Sequence, residues 1–340
     1  MGRMGDYLIR SFSGIFFSIF LPIIAIATLI LFIRIAKLTE VTQMSFSEMV
    51  TMYGYFLPTI LFYTLPITFF AALTLTMVRL SNDFENIVLF SFGISPLRFI
   101  RFFTPLTLTM TLLLLLLSLA LIPITKQLTK SFINYKRIHA IVNIEASKFG
   151  QKFGDWLVFL ESKDKERTVL RHIVLYNPKN PKEEQILTAK RGDFFNENGV
   201  LGLELYEGKV YRVVRDKIEQ IDFQKMKIYD TSLHKPFTYR NLQEYWRIAA
   251  HDHKRLKDLI IFIAVSLFPV ATLFFAFAYG MIHPRYDRNY AYFAIMWVTV
   301  FYYGIVSALA KSFPWVAILF VLLFGGVGSI FFYYRVQRRF

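Results

Sequence analysis

The sequence predicts an integral membrane α-helical protein of six transmembrane helices, with an all-β, jelly-roll-like domain inserted after the third. Three observations carry this. Six runs without a charged residue are each long enough to cross a bilayer. A stretch of alternating, β-branched and aromatic text separates the third run from the fourth. The composition, 55% hydrophobic and 18% aromatic with a mean hydropathy of +0.43, is not that of an ordinary soluble domain.

The runs are Ser11 to Ile33, Met49 to Val78, Phe102 to Thr125, Leu259 to Pro284, Asn289 to Ala310 and Ser312 to Tyr334. All exceed the roughly 20 residues that a helix needs to cross about 30 Å of hydrocarbon. The first is too long for the apolar core of a signal peptide, and no small-residue cleavage site follows it, so it is expected to stay as a helix. Orientation follows from Lys and Arg in the short connections. Arg3 and Arg10, Arg79, Arg98 and Arg101, Arg285 and Arg288, and Arg335, Arg338 and Arg339 fall at ends that six crossings place on one side. That side is expected to be cytoplasmic, with both termini and the loop HPRYDR. The segment from about Lys126 to Arg255 is then expected outside. Its own positive charge is no obstacle, because long domains translocate largely regardless of charge. The chain has no cysteine, so no disulfide holds this domain.

Within the inserted segment, DWLVFLES (155–162), TVLRHIVLYN (168–177), QILTAKRGDFF (185–195), VLGLELYEGKVYRVV (200–214) and IEQIDFQKMKIYD (218–230) read as strands. YNPKNPKEE reads as a loop and Asn198-Gly199 as a hairpin turn. Closely spaced strands without intervening helices predict an antiparallel sandwich or jelly roll. Helical text resumes at NLQEYWRIAAHDHKRLKDL and runs into the fourth crossing. The expected domains are 1–125 for crossings one to three, 126–255 for the β domain with helical connectors, and 256–340 for crossings four to six. The 3+β+3 layout invites a search for an internal repeat, and the two halves show no convincing match.

Chemistry of the usual enzymatic kinds is missing. GLELYEGKV has neither the spacing nor the Ser/Thr of a phosphate-binding loop, and no G-x-S-x-G, H-E-x-x-H or cysteine nucleophile occurs. His251 and His253 stand two residues apart, which points them to different faces of a helix and argues for a solvated segment over a metal site. No metal site is expected. The crossings also contain no Asp or Glu, the residues that relay protons or bind coupling cations. Uphill transport by such a chain would therefore draw on an ATPase partner.

One connection is more than a connector. RLSNDFENIVLFSFGISPLRF, from Arg79 to Phe99, joins the second and third crossings. Asn82 with Glu85 three residues on fits a capping box, and Asp83 adds negative charge where a helix dipole favours it. A short helix over about 82–93 is predicted to carry Phe84, Ile87, Val88 and Phe92 and to stop at Gly93, with Ser95-Pro96 opening the next helix. Such a helix either rests in lipid headgroups or docks in a protein groove. Its acidic start disfavours an anionic leaflet.

This stretch resembles the coupling-helix region of the LptF/LptG lipopolysaccharide-export permeases, in which an acid-containing helix precedes a Gly-x-Ser-Pro step. The resemblance extends to DYLIRSF before the first helix, to the 3+β+3 plan, to KFGQKFGDWLVF and LTAKRGDFF, and to the basic end of the last helix. It implies a permease subunit that pairs with a second LptF/LptG-type permease and an LptB-like cytoplasmic ATPase dimer. Such a complex extracts lipopolysaccharide and passes it through the β domain to LptC/LptA-like bridge proteins. ATP and Mg would sit on the partner ATPase, with no cofactor bound by this chain and no nucleic acid partner. Asp83, Phe84, Glu85, Ile87, Val88 and Phe92 are the implied ATPase contacts. Many members of the family carry an alanine-rich step where this chain has Leu89-Phe90-Ser91-Phe92, which implies bulkier contacts here.

Lipopolysaccharide offers acyl chains and anionic phosphates, so its site should combine an apolar wall with cations near the outer surface. Arg34 and Lys37, one helical turn apart, and Lys311 are the candidates for the phosphates. The alternative for each is snorkelling to interfacial water. Leu201, Leu203 and Leu205 are candidates for acyl contacts, with core packing as the alternative. Two other function classes fit less well. A mechanotransmitting ABC subunit, which moves no lipid through itself, would commonly have four crossings. A membrane enzyme acting on a lipid or glycan would need an ionisable cluster at the interface.

Overall fold

The computed structural model describes residues 2–42, 44–142, 151–153, 156–163, 170–177, 183–197, 200–214, 217–229, 240–248, 252–283 and 289–338. The Asn198-Gly199 turn, His251 and Arg285, Arg288 and Arg339 lie outside these residues. The chain divides into two compact units. One comprises Met1–Lys37, Ser45–Gln127 and Arg240–Phe340, and the other Leu38–Met44 and Leu128–Tyr239.

The helical elements in chain order are α1 (Gly2–Thr42), α2 (Phe46–Asn82), α3 (Glu85–Ser91), α4 (Pro96–Leu116), α5 (Ile122–Val142), α6 (Leu242–Arg247), α7 (His253–Gly280), α8 (Ala291–Ser312) and α9 (Pro314–Phe332). Among the described residues six spans are long and apolar enough to cross a membrane: Met4–Lys37, Phe46–Asn82, Pro96–Ile133, His253–Gly280, Ala291–Ser312 and Pro314–Gln337. The text DYLIRSF lies inside α1 instead of before it, because α1 already begins at Gly2.

The helices are unequally enclosed. The apolar window of α7 is 67% buried and that of α1 only 11%, so α7 forms the centre of the helical unit and α1 lies along its edge. Phe69, Phe70, Phe103, Phe268, Phe277 and Tyr302 fill the core, where ring pairs such as Phe70–Phe268 and Phe268–Tyr302 meet edge to face. Hydroxyls in this core need internal partners, since hydrocarbon offers none. Thr74, Thr76, Thr107, Ser266 and Thr272 each donate to the carbonyl four residues earlier, and the Tyr302 hydroxyl donates to the Ala264 carbonyl at 2.7 Å.

Between α4 and α5 the helix widens into a π-turn at Leu117–Leu121. Such turns release backbone groups from the regular ladder. Here the Leu119 carbonyl accepts the Trp246 indole N–H at 2.8 Å. Nearby, the Gln127 side-chain amide donates to the Arg240 carbonyl (3.1 Å) and accepts from the Arg240 N–H (2.9 Å). The points where the chain leaves the helical unit and returns to it are therefore pinned together.

The second unit holds one antiparallel sheet of β1 (Gln151–Phe153), β2 (Trp156–Lys163), β3 (Leu170–Asn177), β4 (Glu183–Glu197), β5 (Val200–Val214) and β6 (Lys217–Tyr229). An antiparallel all-β insertion is what the strand pattern predicts. Its jelly-roll aspect takes a simpler form among the described residues: each strand pairs with its neighbour in sequence, giving a meander without crossovers. Val158, Leu160, Ile173, Leu175, Leu187, Leu203 and Leu205 form its core.

The strand register skips one row of this sheet. The ladders run Leu160↔Ile173 to Ser162↔Arg171, Arg171↔Arg191 to Ile173↔Ala189, Ala189↔Gly208 to Arg191↔Tyr206, and Tyr206↔Lys225 to Gly208↔Phe223. Each skips one pair, and the skipped residues are Glu161, His172, Lys190, Glu207 and Gln224. The cause is local, because His172 (φ 49°) and Glu207 (φ 53°) take the left-handed conformation in mid-strand. The row is a crease across the sheet.

Candidate functional site

The stretch between α2 and α4 folds into a surface element with two distinct faces. Helix α2 continues through Asn82, with Asp83 as its C-cap, and Phe84 (φ 60°, ψ 6°) reverses the chain before α3 starts at Glu85. Asn82 is thus the last residue of α2, and the expected capping box with Glu85 does not form. The competing contact is tertiary: Ser81, one residue earlier, is bonded to the end of α7 and holds α2 helical to its end. The Arg79–Asp83 ion pair, 3.8 Å across one turn, spans the same terminus. The C-terminal end follows the sequence. Phe92 is the C-cap, Gly93 takes φ 77°, and Ser95 in extended conformation precedes Pro96 at the first turn of α4.

Hydrogen bonds from the Val88 N–H to the Phe84 carbonyl and from the Phe92 N–H to the Val88 carbonyl put Phe84, Val88 and Phe92 in one row. Their exposures are 49, 51 and 78%, so the row is an open apolar ridge. Asp83 and Glu85 stand at its start. Ile87 is half-buried, while Asn86, Leu89 and Phe90 turn inward. All six residues expected to face an ATPase therefore fall on this short element, four of them on its exposed side. The Glu85 carboxylate accepts a hydrogen bond from the Tyr7 hydroxyl on α1 at 2.7 Å.

The inward face holds what sequence reasoning missed. Asn86 is 2% exposed and its amide donates to the Ser81 hydroxyl at 2.8 Å. Ser81, fully buried, donates to the Gly280 carbonyl at 3.0 Å and accepts from the Ile282 N–H at 3.2 Å. Gly280 fits because it has no side chain: a Cβ there would lie 2.4 Å from the Met77 Cβ and 2.8 Å from the Thr74 carbonyl. The only signal in the text is a polar Asn within an apolar helical run, and the partners at 280 and 282 are about 200 residues away.

The candidate cations lie at the other end of the helical unit. Tyr7 places the start of α1 beside α3, and α1 runs unbroken to Arg34 and Lys37, about 40 Å away at 1.5 Å per residue. Both side chains are exposed, and the Arg34 guanidinium lies 5.9 Å over the Phe56 ring. Lys311 is exposed in the last turn of α8, where its carbonyl accepts from the imidazole of His253 at the start of α7, far from Gly280. In the other unit, Leu203 and Leu205 are fully buried in the sheet core, and Leu201 pairs with Asn196 along the backbone. Among the described residues no three His, Asp or Glu side chains come together as metal ligands would.

A family model described as lipopolysaccharide export system permease LptF/LptG matches residues 6–335. The chain belongs to the LptF/LptG family. A comparison with curated proteins finds no match. As an LptF/LptG permease it is a multi-pass inner membrane transport protein.

Proposed function

We propose that this permease is one half of an ATP-driven extractor that lifts lipopolysaccharide from the inner membrane. In this reading α3 is the coupling helix on the cytoplasmic side, where both termini and the short Arg-bearing connections lie, and the β unit is periplasmic. A partner ATPase receives the ridge of Phe84, Val88 and Phe92, with Asp83 and Glu85 at its mouth and Ile87 along its flank. A second permease of the same plan completes the complex. Lipopolysaccharide phosphates meet Arg34, Lys37 and Lys311 at the outer end, and the lipid passes along the β unit to periplasmic bridge proteins. Contact of acyl chains with Leu203 and Leu205, and with Leu201 beside them, requires the sheet core to part.

The observation that supports this best is the asymmetry of α3. Its inner face is fastened by buried hydrogen bonds, which a helix merely floating on headgroups does not need, while its outer face is an apolar ridge headed by carboxylates. Aromatic anchors in an otherwise fixed element are what a protein groove binds tightly. A photo-crosslinking residue at position 88 or 92 in native membranes tests it. Capture of a cytoplasmic ATPase is expected, and capture of lipid alone would overturn the assignment.

A further inference from the structure

The junction of Ser81, Asn86, Gly280 and Ile282 serves neither the docking ridge nor the cations. It is nevertheless the place where the short helix, the end of α2 and the end of α7 meet. Ser81 holds three hydrogen bonds there, one to each side of the α7 terminus and one to α3. Contact is close enough that Gly280 admits no Cβ. A buried hydroxyl with all its partners in place is costly to break, because no water replaces what is lost. Displacement of α3 must therefore carry α7 with it or break this junction.

We infer that Ser81 and Asn86 are positioning residues that tie the coupling helix to α7, so that movement of α3 is delivered to the central helix of the permease as well as to α2 and α4. This rests on the reading of α3 as the ATPase-docking element. Helix α7 is the most enclosed of the six spans. Its far end is also connected: the Arg255 guanidinium donates to the Tyr245 carbonyl at 3.0 Å, and the neighbouring Trp246 is bonded to the π-turn that follows α4. A rod fastened at both ends transmits displacement. A helix that was merely packed could slip.

The test uses the full complex in proteoliposomes, with three readouts: ATPase retained on purification, ATP hydrolysed, and lipopolysaccharide released to an acceptor. Ser81→Ala and Asn86→Ala are expected to keep the ATPase and its hydrolysis within about twofold while lipid released per ATP falls about fivefold or more, the lower range of typical coupling between sites. Ser81→Thr, which retains the hydroxyl, should restore the ratio, and the double alanine variant should be no worse than either single one. An unchanged ratio in both alanine variants overturns the inference. Loss of ATPase from both would also overturn it, because the residues would then only shape α3. Failure of the unaltered chain to retain an ATPase would instead sink the docking assignment itself.

Discussion

The junction beneath α3 and the crease in the β sheet are both built from polar residues at positions where backbones meet awkwardly, yet they are held in opposite ways. At the junction Ser81 and Asn86 are buried, Gly280 relieves the close approach, and the left-handed Phe84 lies in the turn between them, outside any ladder. At the crease the side chains are open. His172 and Glu161, 3.1 Å apart, are 68 and 66% exposed, and Lys190 and Glu207, 2.9 Å apart, are 72 and 54% exposed. Here the left-handed residues, His172 and Glu207, stand in mid-strand, where the ladder skips them. Exposed ion pairs contribute little, whereas buried hydrogen bonds resist removal because their partners would be stranded. Residue type alone does not tell these regions apart; access of water does.

The largest expected effect breaks the junction by volume. Gly280→Ala places a Cβ where Met77 and the Thr74 carbonyl already stand, and neither is the loose end of a flexible chain. Overpacking of this kind costs about 1–3 kcal/mol. Thermal unfolding of the detergent-purified protein should show a lowered midpoint, and export should fall with it. A midpoint equal to that of the unaltered protein would mean that α2 and α7 have room to separate, and the contrast with the crease would collapse.

A smaller effect of opposite sign is expected at the crease. Glu207→Asn gives up an exposed pair with Lys190 but places at φ 53° a residue that tolerates the left-handed region. Hydrogen exchange in β4 and β5 should slow slightly, and export should not change. Faster exchange would show that the Lys190 pair outweighs the strain, contrary to what its exposure implies.

These two regions also mark how far the sequence could be read. The crossings and the strands were legible because their signals are local: uncharged runs of bilayer length, and alternation within each strand. Gly93 and Ser95-Pro96 were legible for the same reason. Asn82 misled because the capping pattern is a local rule, and Ser81, bonded to a carbonyl 199 residues away, overrode it. Asn86 was read as part of a docking helix, and its burial depends on that same distant contact. The crease gave no signal at all, since neither His172 nor Glu207 is a residue that announces a left-handed backbone. Of the candidate site, the ridge of Phe84, Val88 and Phe92 could be read from helical spacing, and its anchor could not.

The smallest expected effect separates the regions by pH. The junction contains Ser, Asn, Gly and backbone groups, none of which titrates. The sheet does titrate. Glu204 lies between Lys225, whose ammonium is 2.8 Å away, the Tyr206 hydroxyl at 2.6 Å and Lys227 at 3.9 Å, and its ladder partner on β4 is Asp193. The hydrogen bond from Lys225, then that from Tyr206, holds the Glu204 carboxyl below its ordinary value of 4.5, and Lys190 does the same for Glu207. A carboxyl lowered in the folded state contributes stability above its unfolded value and loses it as pH falls through the folded one. Stability of the sheet should therefore be level near neutrality and decline below about pH 4.5. Glu204→Gln should flatten that decline while lowering stability slightly at neutral pH, and Glu207→Gln should do the same more weakly, because its side chain is the more exposed. Hydrogen exchange across β5 and β6 between pH 7 and pH 3, corrected for intrinsic rates, measures it. An identical acid response in the Glu204→Gln protein would show that this cross-strand cluster adds nothing to the sheet, and the contrast would then rest on the backbone alone.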